Sequence, residues 1–295
     1  MAETGGRGVM SAVSVAVVTD STAYLPAGTA EKRGIRIVPL EVRLGDRVGR
    51  EGVDVTTAEL CAALADRRVE VQTSRPAPRE FVEVYRSALA SGADAVVSVH
   101  LSRELSGTWD AARIAAEEVG PDRVRVVDSR ATAMGLGYAV LAAADAADAG
   151  ADPAAVEHAA ASVAARCRTF FSVESLDRLR HGGRIGTAAA LLGTALSVKP
   201  LLHVTNGRIV LLEKVRTTAR AAQRLVDHAA AAVGDGAADL AVHHLGAPRR
   251  AAEIADRLRE AIPRVRQLLV SEVGAVIGAH AGIGLIGVVV VPVDT

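Results

Sequence analysis

Short runs of β-branched and other apolar residues alternate with alanine-rich stretches through the first half of the chain. The apolar runs predict strands at Val13–Val18, Ile35–Val42, Ala95–Val99 and Val124–Val127. The stretches between and after them predict helices at 56–66, 78–90, 109–119 and 134–149. Because strands and helices alternate, we expect a parallel sheet that is covered by helices on both faces.

The pattern changes after Gly150. Asp152-Pro153 begins one more helix, which extends to about Arg166, and strand-like runs then predominate. These later strands are expected at Phe170–Val173, Leu201–Val204, Ile209–Val215, Leu240–His244, Leu268–Val273 and Leu285–Val291. Asn206-Gly207 separates two of them and predicts a tight hairpin, because this dipeptide readily adopts the positive φ angles of such a turn. A hairpin implies antiparallel pairing in this part of the chain.

The predicted fold class is therefore α/β with two domains. The N-terminal domain has a parallel sheet with flanking helices, and the C-terminal α+β domain has a largely antiparallel sheet. A chain of 295 residues is long enough for two such cores. We expect a flexible tail at residues 1–13, the N-terminal domain at 14–165 and the C-terminal domain at 166–295.

Composition excludes some partners. The 34 basic residues are balanced by 34 acidic ones, so the chain has no basic excess for binding nucleic acid. Half of the chain is hydrophobic but contains only three Phe, three Tyr and one Trp, so small aliphatic residues must fill the cores. No apolar run reaches the length that spans a membrane, and we expect a cytoplasmic protein.

Common cofactor and hydrolase motifs are missing or misplaced. The segment Gly282–Gly287 matches GxGxxG, but the dinucleotide motif requires a following helix, and here a strand and the chain end follow. The phosphate-loop lysine, the GxSxG elbow and the HExxH pair are absent. His243 and His244 would point to opposite faces of a strand. We therefore expect neither a cofactor nor a metal.

Hydroxyl-rich segments follow several of the predicted strands or precede helices, at the edge where ligands bind in open parallel sheets. They are Thr19–Thr22, Thr73–Pro76, Ser102–Thr108 and Asp128–Arg130. Helix capping is the favoured interpretation for Ser21, Ser102 and Ser129. Thr73 and Ser106 lie beside proline or glycine, which permits close approach of a ligand, and are equally consistent with capping and with binding.

Two further residues are candidates because small residues surround them. Arg184 follows Gly182-Gly183 and is either a surface arginine after a turn or a guanidinium at the mouth of a site. An apolar helix is expected next to it, at 187–198. His280 lies in the segment GAHAGIG, where little would screen it from a ligand.

Seven blocks of the chain, in this order, resemble the DegV family of bacterial fatty-acid-binding proteins, which includes the FakB type. The blocks are VVTDSTAYLP, TSRPAPREFVEVY, HLSRELSGTWDAA, VVDSRATAMGLG, LRHGGRIG with VKPLLHVTNGRI, KVRT, and GAVIGAHAGIG. The resemblance extends from about Val15 to Val291. One departure is Arg75, where the family more often has glutamine.

The resemblance implies a carrier rather than an enzyme. A long-chain fatty acid such as palmitate or oleate would lie between the domains, and a separate fatty acid kinase of the FakA type would phosphorylate its carboxylate to an acyl phosphate. Transient membrane contact is compatible with this role. By motif match, the carboxylate would be held by Thr73, Ser106, Arg184 and His280. The supporting positions would be Ser74, Gly107, Thr108 and Gly183, and Arg216 in KVRT would contact the kinase.

Two other classes of function fit the sequence less well. A serine-dependent acyl hydrolase would use Ser106 as nucleophile and His280 as base, but the chain lacks the nucleophile elbow and an obvious acidic residue to orient the histidine. A sugar- or nucleotide-binding regulator would need a polar pocket, which the apolar segment 187–198 disfavours.

Overall fold

The computed structural model describes residues 13–66, 68–185 and 198–293. The tail expected at residues 1–13 lies outside the described residues except for Val13, and the helix expected at 187–198 lies outside them except for its last residue. Among the described residues, no helix is both long and apolar enough to cross a bilayer.

The N-terminal half, up to Arg166, supplies the first seven strands and six helices of the described chain. Its strands are β1 (Val15–Asp20), β2 (Arg36–Val38), β3 (Glu41–Leu44), β4 (Arg47–Arg50), β5 (Val71–Ser74), β6 (Ala95–His100) and β7 (Val124–Asp128). Its helices are α1 (Thr29–Lys32), α2 (Thr57–Ala65), α3 (Pro78–Ala90), α4 (Thr108–Val119), α5 (Met134–Asp148) and α6 (Pro153–Arg166). Ser21–Ala23 forms a 3₁₀ turn.

The C-terminal half begins at Arg168. Its strands are β8 (Arg168–Ser172), β9 (Lys199–Thr205), β10 (Arg208–Val215), β11 (Ala237–His244), β12 (Val265–Glu272) and β13 (Ile286–Val293). Its described helices are α7 (Asp177–His181), α8 (Thr218–Val233), α9 (Pro248–Ala261) and α10 (Ala275–Ala281). The predicted boundary between residues 165 and 166 falls close to the junction of α6 and β8, and it stays a prediction.

The parallel sheet predicted for the N-terminal half is confirmed, with strand order β2-β1-β6-β7. Side chains alternate between its faces because successive residues of a strand point in opposite directions. Val17 and Val97 pack on α5 and α6. Val18 and Val96 pack on α3 and α4. Both faces are therefore covered, and the loops at the carboxyl ends of the strands are left to form a site.

The single strand predicted over Ile35–Val42 is wrong. It is divided into β2 and β3 at Pro39-Leu40, and the two strands belong to different sheets. Proline has no N–H to donate to a strand ladder, so it ends β2. Strands β4, β3 and β5 form a three-stranded antiparallel sheet that the sequence pattern did not predict. Thr73 is on β5 of this sheet and not in a loop.

The C-terminal half contains a six-stranded sheet of order β10-β9-β8-β13-β11-β12. The first four neighbouring pairs are antiparallel and the last is parallel, as expected for a largely antiparallel sheet. The predicted hairpin joins β9 to β10, and Asn206 and Gly207 have φ angles of 49° and 78°. The fold class is confirmed.

One face of the six-stranded sheet is closed by helices, and the other faces the N-terminal half. On β13, Ile286, Val288 and Val290 pack with α8 and α9 in one cluster. Gly287 and Val289 alternate with them and line a cavity on the opposite face. The strand alternation therefore places this cavity between the two halves of the chain.

Candidate functional site

A cavity of about 960 Å³, measured out to its open mouth, lies between the six-stranded sheet and the N-terminal half. Most of the lining is aliphatic or aromatic, including Leu40, Leu101, Phe171, Val204, Ile277 and Leu285. Such a surface suits an apolar ligand.

The four residues predicted to hold a carboxylate all line this one cavity: Thr73, Ser106, Arg184 and His280. They come from four separate segments, which are β5, the loop after β6, the loop after α7, and α10. Ser74 also lines the cavity. Folding thus brings together residues that are distant in the chain.

The other predicted positions lie beside this cluster or away from it. Gly107 precedes α4, and Thr108 is the first residue of that helix. Gly183 has a φ angle of 70°, a conformation that favours glycine, and so permits the turn before Arg184. Arg216 is exposed just after β10, at the end of that strand remote from the β9–β10 turn.

His280 is bonded to Thr73, with 2.8 Å between its Nε2 and the threonine Oγ1. Gly182 lies so close to the imidazole that an added Cβ would overlap Nδ1, so a larger residue would not fit at this position. Burial, together with the smaller effect of the positive charge of Arg184, lowers the pKa of His280 to about 4. The imidazole is therefore neutral near pH 7 and offers a hydrogen bond rather than a charge.

Ser106 is held by the start of α4. Its Oγ lies 2.9 Å from Oγ1 of Thr108 and accepts a hydrogen bond from the Thr108 N–H at 3.3 Å. The same loop is anchored to the C-terminal half, because the Ser102 hydroxyl donates to the carbonyl oxygen of Gly207 at 2.8 Å. Neither Ser102 nor Ser21 is the N-cap of a described helix, so the capping interpretation is wrong for both: the Ser102 oxygen accepts from the Glu104 N–H within a turn, and the Ser21 hydroxyl donates to a glutamate.

The Arg184 guanidinium is fixed at the mouth by backbone carbonyls. Its Nε donates to the carbonyl oxygen of Leu105 at 3.0 Å, and its Nη1 donates to that of Gly182. The backbone N–H of Arg184 also donates to the carbonyl oxygen of Leu179 at 2.9 Å, which fixes the turn. A guanidinium carries five N–H groups, so others are left for an anionic ligand.

A fully buried polar network supports the loop that carries Ser106, and the sequence pattern did not reveal it. Asp20 accepts hydrogen bonds from the Leu101 N–H and pairs with His100 Nδ1, both at 3.0 Å. His100 Nε2 lies 2.6 Å from the Ser98 hydroxyl, to which Tyr85 donates at 2.8 Å. Asp20, His100 and Ser98 have the residue types of a catalytic triad, but they are completely buried and do not line the cavity. Their role here is to fix Leu101 and the loop after it.

A buried carboxylate positions α10, the helix that carries His280. Glu51 accepts hydrogen bonds from the Val276 N–H at 2.7 Å, from the Tyr24 hydroxyl at 2.9 Å and from the Ser21 hydroxyl at 2.5 Å. The Tyr24 oxygen in turn accepts from the Ile277 N–H at 3.2 Å. Burial raises the pKa of Glu51. Because these partners are distant in the chain, no local motif predicted them.

Besides Arg75, three more polar residues line the cavity, namely Thr132, Thr169 and His243. Nε2 of His243 accepts a hydrogen bond from the Met134 N–H at 3.2 Å, and burial lowers the pKa of this histidine to about 4. The sequence pattern predicted that His243 lies on a strand. The pairing of that strand with β13, in which His243 lies opposite Gly287, is the signal that would have placed the histidine at the cavity. Within the described ranges, no three His, Cys, Asp or Glu side chains are grouped to hold a metal ion.

Comparisons with known proteins agree on one family. The family model described as "Uncharacterised protein, DegV family" matches residues 14–293. A DegV domain-containing protein of Streptomyces coelicolor is 56% identical over 276 residues, which cover 94% of this chain and 98% of that protein.

Two solved structures are similar over nearly their whole length. A DegV family protein from Thermus thermophilus, whose structure is described as showing fatty acid binding, has a TM-score of 0.90 and 34% identity and covers 95% of this chain and 100% of its own. DegV of Bacillus subtilis, described as a fatty acid binding protein, has a TM-score of 0.84 and 32% identity with the same coverage of both chains.

Proposed function

The chain belongs to the DegV family, and on that premise we propose that it binds a long-chain fatty acid and presents the carboxylate to a separate fatty acid kinase. The observation that carries this proposal is the cavity itself. Its lining is mainly apolar, and Thr73, Ser106, Arg184 and His280 all face into it, while no described lining residue is Asp or Glu. The fatty acid binding described for the similar structures supports the same ligand class.

The energetics favour an acyl chain with an anionic head group. Each buried methylene contributes about 0.8 kcal/mol, so a sixteen-carbon chain offers on the order of 10 kcal/mol before ordering costs are subtracted. A carboxylate that leaves water needs hydrogen bonds or an opposite charge. The hydroxyls of Thr73 and Ser106 and the guanidinium of Arg184 meet that need, and the neutral His280 positions the Thr73 hydroxyl to which its Nε2 is bonded.

The proposed reaction takes place on the ligand and not on this chain. The kinase transfers the terminal phosphoryl group of ATP to a carboxylate oxygen, which yields an acyl phosphate and ADP. The chain contributes binding and orientation, and in this proposal it works in the cytoplasm, where ATP is available. It needs no cofactor for this role.

Lipid extraction from the natively purified protein tests the binding. We expect mass spectrometry to find about one fatty acid of sixteen to eighteen carbons per chain, because a shorter chain would bury fewer methylenes. The Ser106→Ala variant should retain less fatty acid, since it removes a hydroxyl from the head group. A protein that holds no fatty acid and binds no added palmitate or oleate would contradict the proposal.

The same variant separates the proposal from the hydrolase alternative. Ser106 is paired with Thr108 and His280 with Thr73, so neither is bonded to the other as a nucleophile and its base would be. Loss of an ester- or thioester-cleaving activity in Ser106→Ala would favour the hydrolase. Weaker fatty acid retention, with no activity to lose, supports the carrier.

We place the kinase contact at Arg216, which is exposed and outside the cavity lining. The Arg216→Glu variant should retain as much fatty acid as the wild type, but its phosphorylation by a fatty acid kinase and ATP should fall about tenfold or more, because a charge reversal in a contact surface disfavours association. Phosphorylation at the wild-type rate would exclude Arg216 from the contact.

A further inference from the structure

The cavity mouth carries more positive charge than one carboxylate can balance. Arg75 and Arg184 both line the cavity, and none of the lining residues that the structure describes is Asp or Glu. Arg75 has no carboxylate within ion-pair distance among the described residues. Two guanidinium groups without an acidic partner favour an anion of higher charge than a fatty acid carries.

The two arginines occupy different depths. Arg184 is half-buried and tied to the carbonyl oxygens of Leu105 and Gly182. Arg75 is exposed, and its guanidinium lies directly against Gly107, where an added Cβ would overlap Nη1. Gly107 immediately follows Ser106, whose hydroxyl is predicted to hold the carboxylate. The Arg75 guanidinium therefore contacts the neighbour of that serine, and it lies on the solvent side because Arg75 is exposed. A group attached to the outer face of the carboxylate would meet Arg75 there.

We propose that Arg75 binds the phosphoryl group of an acyl chain with a phosphate head group, so that the cavity prefers the phosphorylated ligand to the free fatty acid. This inference rests on the proposed function, because it assumes that the acyl chain lies in the cavity. A phosphate monoester or acyl phosphate carries close to two negative charges near neutral pH and presents three equivalent acceptor oxygens. The planar guanidinium of an arginine binds two such oxygens at once and carries a positive charge. A glutamine at this position would supply no charge.

The consequence is a carrier that retains the product of phosphorylation. Arg184 would remain with the inner oxygen of the head group, and Arg75 would bind the added phosphoryl group nearer to solvent.

Binding of two non-reactive ligands to the delipidated full-length protein tests the inference. The probes are palmitate and hexadecyl phosphate, compared by displacement of a fluorescent fatty acid below their micelle concentrations. We expect the wild type to bind hexadecyl phosphate about tenfold more tightly than palmitate. In Arg75→Gln this preference should disappear, while the Kd for palmitate changes less than about threefold. Arg75→Lys, which keeps the charge but not the fork, should lie between them.

Arg79→Gln is the matched control, because Arg79 is an exposed arginine at the start of α3 that does not line the cavity. This variant should bind both ligands as the wild type does. Equal affinity of the wild type for the two ligands, or a preference that survives in Arg75→Gln, would overturn the inference. The proposed function would still stand in that case, provided that the wild type binds palmitate. If neither ligand binds the wild type, the proposed function itself fails.

Discussion

Replacing Glu51 with alanine should lower the free energy of unfolding by about 3 kcal/mol and weaken fatty acid binding about tenfold. The substitution leaves the Val276 N–H and the hydroxyls of Tyr24 and Ser21 without their shared acceptor in a buried region. The N-terminal end of α10 then loses its attachment to the N-terminal half, and His280 is on that helix. Urea unfolding followed by circular dichroism measures the first effect, and palmitate titration measures the second.

Glu51→Gln is the matched control because its amide oxygen still accepts from Val276 and Tyr24. Burial raises the pKa of Glu51, so the folded state binds this proton more readily than the unfolded state does. The contribution of Glu51 to stability therefore increases as the pH falls through its raised folded pKa toward the ordinary value of 4.5. Glu51→Gln should be at least as stable as the wild type at pH 7, and its advantage should shrink on acidification. Equal losses in the alanine and glutamine variants would contradict this role.

The pattern of residues along the chain predicted local structural features well. Helix α3 begins at Pro78, as expected, because proline fits the first turn of a helix. The β9–β10 hairpin follows from Asn206-Gly207, because these two residues adopt the required φ angles with little cost. In both cases the residues that determine the structure are neighbours in the chain, so the sequence contains the whole cause.

Helix α10 shows why other elements escaped prediction. Its sequence AVIGAHA contains glycine, histidine and β-branched residues, all weaker helix formers than alanine, and it has no side-chain cap of its own. The cap comes instead from Glu51, more than two hundred residues earlier, through the Val276 N–H. By contrast, α8 could have been found from its buried Ala221, Leu225 and Ala229, which recur every four residues.

The candidate site was predicted only in part, because many of its determinants are also distant in the chain. The resemblance to the DegV family predicted that Thr73, Ser106, Arg184 and His280 form the site. The structure places all four around one cavity. The rest of the cavity wall depends on which face of a strand each residue occupies. That face depends on pairing between β8, β13 and β11, which are far apart in the chain. A register slip of one residue would have turned Gly287 away from the cavity.

Gly287 should limit the length of the acyl chain that the cavity accepts. It pairs with Phe171 on β8 and with His243 on β11, and all three residues line the cavity. A Cβ at Gly287 would come no closer than 3.4 Å to its nearest neighbour, the Cβ of Phe171, so the strand itself tolerates a side chain. The missing side chain therefore leaves space for the ligand.

Gly287→Leu should shift the extracted fatty acids toward shorter chains. The leucine side chain adds four carbon atoms, and displacing three or four methylenes of the ligand costs about 3 kcal/mol, or roughly a hundredfold in the Kd for palmitate. Gly287→Ala, whose Cβ makes only ordinary contacts, should keep nearly the wild-type distribution. Thermal unfolding establishes that both variants are folded, and mass spectrometry of their extracted lipids gives the chain lengths. An unchanged distribution in a folded Gly287→Leu variant would mean that the acyl chain does not pass Gly287, and the ligand would then have to follow the part of the cavity nearer Val204 and Ile209.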